Sequence, residues 1–198
     1  MKGDKMSNYL SIDLVPCWDL DIEQKMTIRN SVRNALIDRA VREQCATPDK
    51  FISRPLLSRD LGLLSWKTPE LKKGAVWVDG ALGDRKCVVI YKITQLSPNP
   101  KVHEIRMTVS GATVFICELD NLYCIIPIIK EMKRLEIEQI VFQIGNVENL
   151  RMEGYLPTAI TIPMNATYKI EISSVDDGPG DEIILGGYVV EPRGYTIA

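Results

Sequence analysis

The sequence predicts a mainly β protein: an antiparallel two-sheet sandwich of the jelly-roll type with one short helix, preceded by an N-terminal arm that contains one longer helix. Three observations support this prediction. The 198 residues suffice for one ordinary domain with an appendage. From residue 74 onward, short apolar or alternating segments recur between Gly, Pro, Asn and Asp residues, which is typical of strands joined by turns. A single helical segment interrupts them, which argues against a doubly wound parallel sheet. We therefore expect an arm at residues 1–73 and a β-sandwich body at residues 74–198.

The composition excludes several classes of protein. Hydrophobic residues make up 45% of the chain and charged residues 25%, as in globular proteins. The formal net charge is -2, although residues 1–74 carry 13 Lys+Arg against 10 Asp+Glu. This balance argues against direct binding to nucleic acid. No apolar run approaches the ~20 residues of a membrane span, and the first ten residues lack the apolar core of a signal peptide. We expect a protein made in a reducing cytoplasm, with no membrane contact.

The cysteine pattern favours free thiols. The chain has five Cys, an odd number, and no two of them are two residues apart. Several lie within apolar runs, which is typical of small buried thiols rather than of a disulfide framework. The five residues are Cys17, Cys45, Cys87, Cys117 and Cys124.

The arm is predicted to begin with an extended segment and to continue as a helix. The alternating run YLSIDLV, closed by Pro16, predicts a short strand. A helix is predicted at residues 21–44, because Asp21 and Gln24 have capping-box spacing and apolar residues recur every four positions from Ile28 to Ala40. A second stripe on this helix is cationic, and we interpret it either as a solvated face or as a docking surface for an acidic partner. It consists of Lys25, Arg29 and Arg33.

The rest of the arm, residues 47–73, contains three prolines and many apolar residues without a clear period. This combination predicts an extended segment that lies across another surface, either of its own body or of a neighbouring subunit. The body is predicted to contain one short helix that begins near Pro127, and a strand at residues 183–190 that is apolar throughout and therefore buried on both faces. The predicted strands of the body are residues 75–81, 87–96, 102–110, 113–119, 137–144, 158–162, 168–172 and 183–190.

The sequence offers no constellation for catalysis. His103 is the only histidine, so Ser-His-Asp or Cys-His chemistry would have to use it, yet it lies within an alternating strand. A metal site of the cupin type normally needs more than one imidazole. No pair of carboxylates is distinguished by its spacing. We therefore expect no enzyme activity, and no catalytic, cofactor-binding or metal-binding residues.

Three turn-like segments have alternative interpretations. The acidic run at residues 176–182 could hold calcium, but its Gly-Pro-Gly centre favours a hairpin loop with solvated acids. Residues 80–86 contain glycines without phosphate-loop spacing, and no Ser or Thr follows Lys86, so a turn is expected. The triplet Asn165-Ala166-Thr167 matches a glycosylation acceptor, but without a secretory signal it favours a turn.

The C-terminal forty residues resemble the jelly-roll structural proteins of tailed-phage virions. The resemblance rests on the turn Pro163-Met164-Asn165-Ala166-Thr167-Tyr168 and on the closing segment from Gly187 to Tyr195. It implies a structural role in a bacteriophage particle, as a capsid decoration (cement) protein, a capsid-stabilising subunit, or a collar or tail attachment. The implied partners are the major capsid protein or tail and collar subunits, the implied location is the virion, and a homo-oligomer is expected. The resemblance implies no catalytic residues and no cofactor.

Two other functions remain open at this stage. A carbohydrate- or receptor-binding module of a phage tail or adhesin would need exposed aromatic residues, and Trp18 and Trp66 lie outside the predicted body. An enzyme with a carboxylate-based site on a β scaffold would need two close carboxylates in a pocket. Trp77 and Tyr91 lie in predicted strands, where a core position is expected.

Overall fold

The structure is a computed structural model that describes residues 21–71, 75–96, 101–119, 152–174 and 176–194 of the 198-residue chain. These residues form one long helix, eight strands and two short 3-10 turns. The helix is α1 (Ile22–Gln44). The strands are β1 (Phe51–Pro55), β2 (Ala75–Ala81), β3 (Cys87–Gln95), β4 (Val102–Val109), β5 (Ala112–Glu118), β6 (Met152–Ile162), β7 (Thr167–Ser174) and β8 (Ile183–Pro192).

The eight strands form two four-stranded antiparallel sheets. The first sheet has the order β1-β8-β3-β6 and the second has the order β2-β7-β4-β5. Apart from the β4–β5 hairpin, each pair of consecutive strands is divided between the two sheets. This order is that of an eight-stranded jelly roll. The predicted mainly β, two-sheet sandwich is therefore confirmed.

The main core lies between the two sheets, as strand alternation requires. Each inner strand contributes alternate residues to it, among them Ile90, Ile105 and Ile170. β8 is buried on both faces, as predicted, because Leu185 and Val189 point into this core while Tyr188 and Val190 lie under α1. The backbone of β8 also approaches β3 closely: a Cβ added at Gly187 would lie 1.9 Å from the Val89 carbonyl oxygen. Only glycine fits there.

Helix α1 covers the outer face of the first sheet. Its start is fixed by the predicted capping box, in which the Gln24 N–H donates to Asp21 Oδ1 at 2.7 Å and the Asp21 N–H donates to Gln24 Oε1 at 2.9 Å. It ends where Cys45 adopts the left-handed conformation (φ 48°). Val32, Leu36 and Ala40 on one side of the helix are buried against outward-facing residues of the sheet. The predicted helix at residues 21–44 is confirmed.

Two corners of the sandwich are hydrogen-bonded to each other. The β2–β3 turn and the β6–β7 turn both cross between the sheets at the same end. The Leu82 N–H donates to the Ala166 carbonyl at 3.0 Å, and the Asn165 N–H donates to the Gly83 carbonyl at 3.2 Å. Asn165 has φ 57°, a conformation that asparagine tolerates better than most residues. The turn predicted from Asn165-Ala166-Thr167 is therefore a sheet-crossing corner.

Part of the predicted arm lies inside the sandwich. β1 pairs with β8 along its whole length, from Phe51 opposite Pro192 to Pro55 opposite Tyr188. The segment after β1 adds Leu56, Leu61 and Leu71 to the main core. Sequence periodicity missed β1 because five residues at a sheet edge show too short a pattern. The division into an arm at 1–73 and a body at 74–198 stays a prediction.

Several predicted elements lie outside the described residues. These are the strand from the run YLSIDLV, the short helix near Pro127 and the strand at residues 137–144. Strand β6 begins at Met152, earlier than the predicted start at residue 158. The predicted strands at 75–81, 87–96, 102–110, 113–119, 168–172 and 183–190 correspond to β2, β3, β4, β5, β7 and β8.

Candidate functional site

The cationic stripe of α1 contacts the protein's own sheet. Arg29 Nε donates to the Tyr188 hydroxyl at 3.2 Å, and Arg33 Nε donates to the hydroxyl of Ser53. Both arginines are exposed, as a solvated face requires, and the docking of this stripe on an acidic partner stays a prediction. They lie at the margin of the apolar contact between helix and sheet, where long side chains can cover apolar groups while the charge stays near water.

A tyrosine cluster lies under the N-terminal half of α1. The rings of Tyr91 and Tyr188 are stacked with centroids 5.9 Å apart, and Tyr155 approaches Tyr91 at the same distance with a tilt of 33°. Burial, together with the other two phenols, raises the pKa of Tyr91 above its ordinary value. The hydrogen bond to Tyr188 raises the pKa of Arg29. The Tyr91 phenol is therefore neutral at physiological pH, and the stacked rings stabilise the helix–sheet contact.

A largely buried ion cluster joins β1 and the turn after it to β8 and to Lys86 before β3. Arg54 binds Asp60 through two hydrogen bonds of 2.6 and 2.7 Å and donates from Nε to Glu191 Oε1 at 3.0 Å. Lys86 Nζ lies 3.6 Å from Asp60 Oδ1, and the Leu57 N–H donates to Asp60 Oδ2 at 3.0 Å. The cluster pairs two cations with two carboxylates, so its charges are matched.

The ionisation of Asp60 follows from these contacts. Burial alone would raise the pKa of its carboxyl, but the hydrogen bonds from Arg54 and from the Leu57 N–H, with the charge of Lys86, outweigh burial and lower the pKa. This cluster was not predicted from the sequence. Its local signal is a carboxylate directly beside an apolar residue, Asp60 before Leu61 and Glu191 after Val190.

The outer face of the second sheet has a different composition. We call it the exposed face and define it by the outward residues of β2, β7, β4 and β5. Charged side chains occupy its centre, where Lys169 Nζ lies 2.7 Å from Glu171 Oε1 and Arg106 Nη2 lies 3.9 Å from Glu104 Oε1. Apolar side chains occupy its two edges: Val76 on β2, and Val114 and Ile116 on β5. These three are 45%, 48% and 55% exposed.

A surface pocket of about 370 Å³ lies where the end of α1 meets the β2–β3 turn and the end of β8. The Gln44 side chain donates to the Asp84 carbonyl at 3.4 Å, and Arg193 donates from Nε to the Phe51 carbonyl at 3.3 Å. These contacts tie the pocket walls together. The lining residues are Gln44, Asp84, Arg85, Pro192, Arg193 and Gly194.

The sequence-predicted candidates are dispersed. His103 lies half-buried in β4 at an irregularity between Val102 and Glu104, and its Nδ1 is buried without a hydrogen-bond partner among the described residues. Within the acidic run, Asp181 is buried and its Oδ2 accepts hydrogen bonds from the N–H groups of Lys101 and Val102 at 2.7 and 2.8 Å. Asp181 thus caps the start of β4 rather than offering its oxygens to a cation.

The remaining candidates have structural placements. Residues 80–86 connect β2 to β3, as the turn interpretation predicted. The expectation of buried thiols holds for Cys87, whose pKa burial raises to about 12. Cys117, also from an apolar run, is half-buried. Cys45 lies outside these runs and is exposed, because it ends α1 at the surface. Cys17, Cys124 and Trp18 lie outside the described residues. In the part of the chain that the structure describes, no three His, Cys, Asp or Glu side chains could hold a metal ion.

Comparisons with known proteins add little to this geometry. No protein-family model matches the chain, and no curated protein matches it. Its structure is similar to a family 35 carbohydrate-binding module from an environmental isolate, at TM-score 0.32 and 11% identity over 65% of this chain and 74% of that chain. It is also similar to a chain of the T13 IBDV viral particle, at TM-score 0.28 and 11% identity over 74% of this chain and 32% of that chain. At TM-scores this low, neither likeness says what the chain does.

Among the described residues, no helix is long and apolar enough to cross a membrane. The two sheets differ in their outer faces: α1 covers that of the first sheet, and that of the second sheet is exposed.

Proposed function

We propose that this protein is a structural component of a bacteriophage particle and acts through contacts with neighbouring virion subunits. It would serve as a capsid decoration or stabilising protein, or as part of a collar or tail, and its partners would be the major capsid protein or collar and tail subunits. The observation that carries the proposal is the exposed face: a four-stranded sheet with apolar residues at both edges and charges at its centre. Such a face suits repeated contacts in a symmetric particle.

The chemistry of the described side chains supports a role that depends on surfaces. The buried carboxylates of Asp60, Asp181 and Glu191 bind cations or backbone N–H groups of the same chain. Groups engaged in this way hold the sandwich together and are not poised to transfer a proton. We therefore propose a protein without enzyme activity.

The alternative of a carbohydrate-binding module receives no support from the aromatic residues that the structure describes. Every Phe, Tyr and Trp among them is buried or half-buried. Trp66, one of the two candidates, packs against the main core. A sugar-stacking platform needs an aromatic face that is open to solvent.

Particle incorporation tests the proposal. Mass spectrometry of purified particles should detect the chain at a fixed ratio to the major capsid protein. Its absence from intact particles would refute the structural role. The predicted arm is tested separately by deleting residues 1–20, which leaves α1 with its Asp21 cap. A deletion of residues 1–73 would remove β1 and the core residues Leu56, Leu61 and Leu71, so loss of incorporation would then report unfolding.

We expect the deletion of residues 1–20 to leave a folded protein that enters particles at a lower ratio. Circular dichroism and thermal unfolding of the purified variant check the fold. If the variant is incorporated at the same ratio as the full chain, residues 1–20 make no contact that matters for assembly.

A further inference from the structure

A row of four side chains crosses the exposed face. If the same row of a second copy lay against it in the opposite direction, apolar residues would face apolar residues and acidic residues would face basic ones. Strand pairing places Val76 opposite Glu171, Glu171 opposite Arg106, and Arg106 opposite Ile116. The row therefore crosses the whole sheet, from the β2 edge to the β5 edge, in the order apolar, acidic, basic, apolar. All four side chains point outward, since the residues on either side of them in each strand pack into the core.

A twofold axis parallel to the strands would match this row with itself in a second copy. Such an axis lays the β2 edge of one copy over the β5 edge of the other and keeps the position along the strands unchanged. Val76 then faces Ile116 of the second copy, and Glu171 faces Arg106 of the second copy. Each of these contacts occurs twice, so the interface pairs two sets of opposite charges between two apolar rims.

In the neighbouring rows, the pairs that the structure describes oppose no like charges. Asp79, Lys169 and Thr108 lie side by side in the next row. The twofold axis places Lys169 of one copy over Thr108 of the other. On the other side, Ser173 lies opposite Glu104 within the sheet, and the axis places the two over each other between copies. The strand axes of the two copies are parallel, and each strand faces a strand of opposite direction in the other copy. This is the aligned mode of sheet packing.

We propose that the exposed face is the contact surface of a homodimer of this chain, with β2-β7-β4-β5 of one copy packed face to face on the same sheet of another. The inference deepens the proposed function, because it names one partner and the surface that binds it. Four strands of seven residues span roughly 19 by 23 Å. A contact of that size lies at the low end of specific interfaces, so the dimer is expected to be weak, with a Kd on the order of micromolar.

Sedimentation equilibrium of the purified full-length chain over roughly 1 to 500 µM tests the proposal. The wild type should show a reversible monomer–dimer equilibrium. Arg106→Glu places two carboxylates against each other at both symmetric contacts, and Glu171→Arg places two guanidinium groups against each other. Each variant alone should weaken the dimer by tenfold or more. Arg59→Glu, an exposed charge reversal away from the exposed face, is the matched control and should leave the Kd unchanged.

An equimolar mixture of the Arg106→Glu and Glu171→Arg chains is the decisive experiment. In the mixed dimer, residue 106 of each copy faces an opposite charge at residue 171 of the other, so association should return to within a fewfold of the wild type. A structural defect in either variant could not be repaired in this way. Ile116→Lys, which removes an apolar rim contact at two places, should also weaken the dimer and should not be rescued by mixing with either charge variant.

Two results would overturn the proposal. One is a wild-type chain that remains monomeric throughout the concentration range. The other is a dimer whose Kd is unaffected by either charge reversal or is not restored by mixing. Because the measurement uses purified protein alone, either result leaves particle incorporation untouched. Conversely, a dimer that forms as described, in a chain that is absent from particles, would refute the proposed function and keep this inference.

Discussion

The outer faces of the two sheets differ: that of the first is apolar and covered by a helix, and that of the second is charged at its centre and exposed. The first sheet presents Val89, Tyr91 and Tyr188 outward, and α1 covers them with Leu36 and its apolar neighbours. The second sheet presents charged side chains at its centre and single apolar residues at its edges, and these are exposed. Both sheets contribute equally to the core between them, so the difference lies in what the chain itself supplies to cover each sheet.

Because of this difference, the outer face of the first sheet contributes to the stability of the fold, whereas that of the second sheet is available to bind a partner. An apolar face that is covered by a helix of the same chain contributes to folding. A partner could bind it only by displacing the helix, which would expose the apolar surface now buried between helix and sheet. A face with a charged centre is tolerated by water in the free protein and can still be buried when a partner offers matching charges. We therefore expect substitutions on the first sheet to change the free energy of unfolding, and substitutions on the exposed face to change association.

The largest effect on stability is expected at the ion cluster that fixes β1 to the first sheet. Asp60→Asn leaves Arg54 and Lys86 without their shared carboxylate in a buried position. Loss of one partner of a buried ion pair typically costs about 3–5 kcal/mol. Chemical denaturation of the variant at pH 7 should show this loss. A decrease below about 1 kcal/mol would mean that the cluster is hydrated in solution and does not hold β1.

The same cluster predicts the direction of the pH dependence. The pKa of Asp60 is lowered in the folded state, so its contribution is present above the unfolded pKa of about 4 and disappears as pH falls through the folded pKa. The difference in unfolding free energy between the wild type and Asp60→Asn should therefore shrink as pH falls from about 5 to 2. A difference that stays constant over this range would contradict the assignment of the charge to Asp60.

The next largest effect is expected under the helix. Leu36 is 2% exposed and packs against the first sheet, so Leu36→Ala should lower the free energy of unfolding by about 2–5 kcal/mol through lost burial and the cavity that remains. Ala35→Ser, one position away on the exposed side of α1, is the control and should change stability by less than about 0.5 kcal/mol. Equal effects of the two substitutions would show that α1 does not rest on the sheet in solution.

The sequence predicted the covered face better than the exposed one. Apolar residues every four positions in α1 indicated a helix with one buried side, and the unbroken apolar run of β8 indicated a strand buried on both faces. Both predictions were possible because burial determines the pattern of apolar residues within a segment. The capping box at Asp21 and Gln24 was equally local. Each of these features is determined by residues within a few positions of one another.

The rest depends on pairing between distant segments. Val76, Arg106, Ile116 and Glu171 form a row only because β2, β7, β4 and β5 are adjacent in that register, and no spacing in the sequence encodes this order. The ion cluster similarly joins Arg54 to Glu191, 137 positions later in the chain. Short edge strands such as β1 carry too few alternations to be recognised. Such sites cannot be predicted from local sequence patterns, because they depend on which strands pair and in which register.

A smaller effect is expected at the start of the helix that covers the first sheet. Asp21→Ala removes the acceptor of the Gln24 N–H and should cost about 1 kcal/mol. Asp38→Ala, an exposed acid in the middle of the same helix, is the control and should have little effect. Thermal unfolding of the three proteins at one concentration measures the difference. If both substitutions have the same small effect, the first turn of α1 is frayed and contributes no stability.

The smallest effect on the free energy of unfolding is expected on the exposed face. This prediction tests the contrast between the outer faces of the two sheets most directly. Ile116→Thr keeps a β-branched residue in β5 and removes apolar surface that already contacts water in the monomer, so the free energy of unfolding should change by less than about 0.5 kcal/mol. The measurement must be made well below the concentration at which the chain associates, since any dimer would stabilise the wild type by mass action. Met107→Ala, from the buried side of the adjacent strand β4, should cost about 2–5 kcal/mol under the same conditions. If Ile116→Thr costs as much as Met107→Ala in dilute solution, the exposed face is covered within the monomer, and the contrast between the two sheets does not exist.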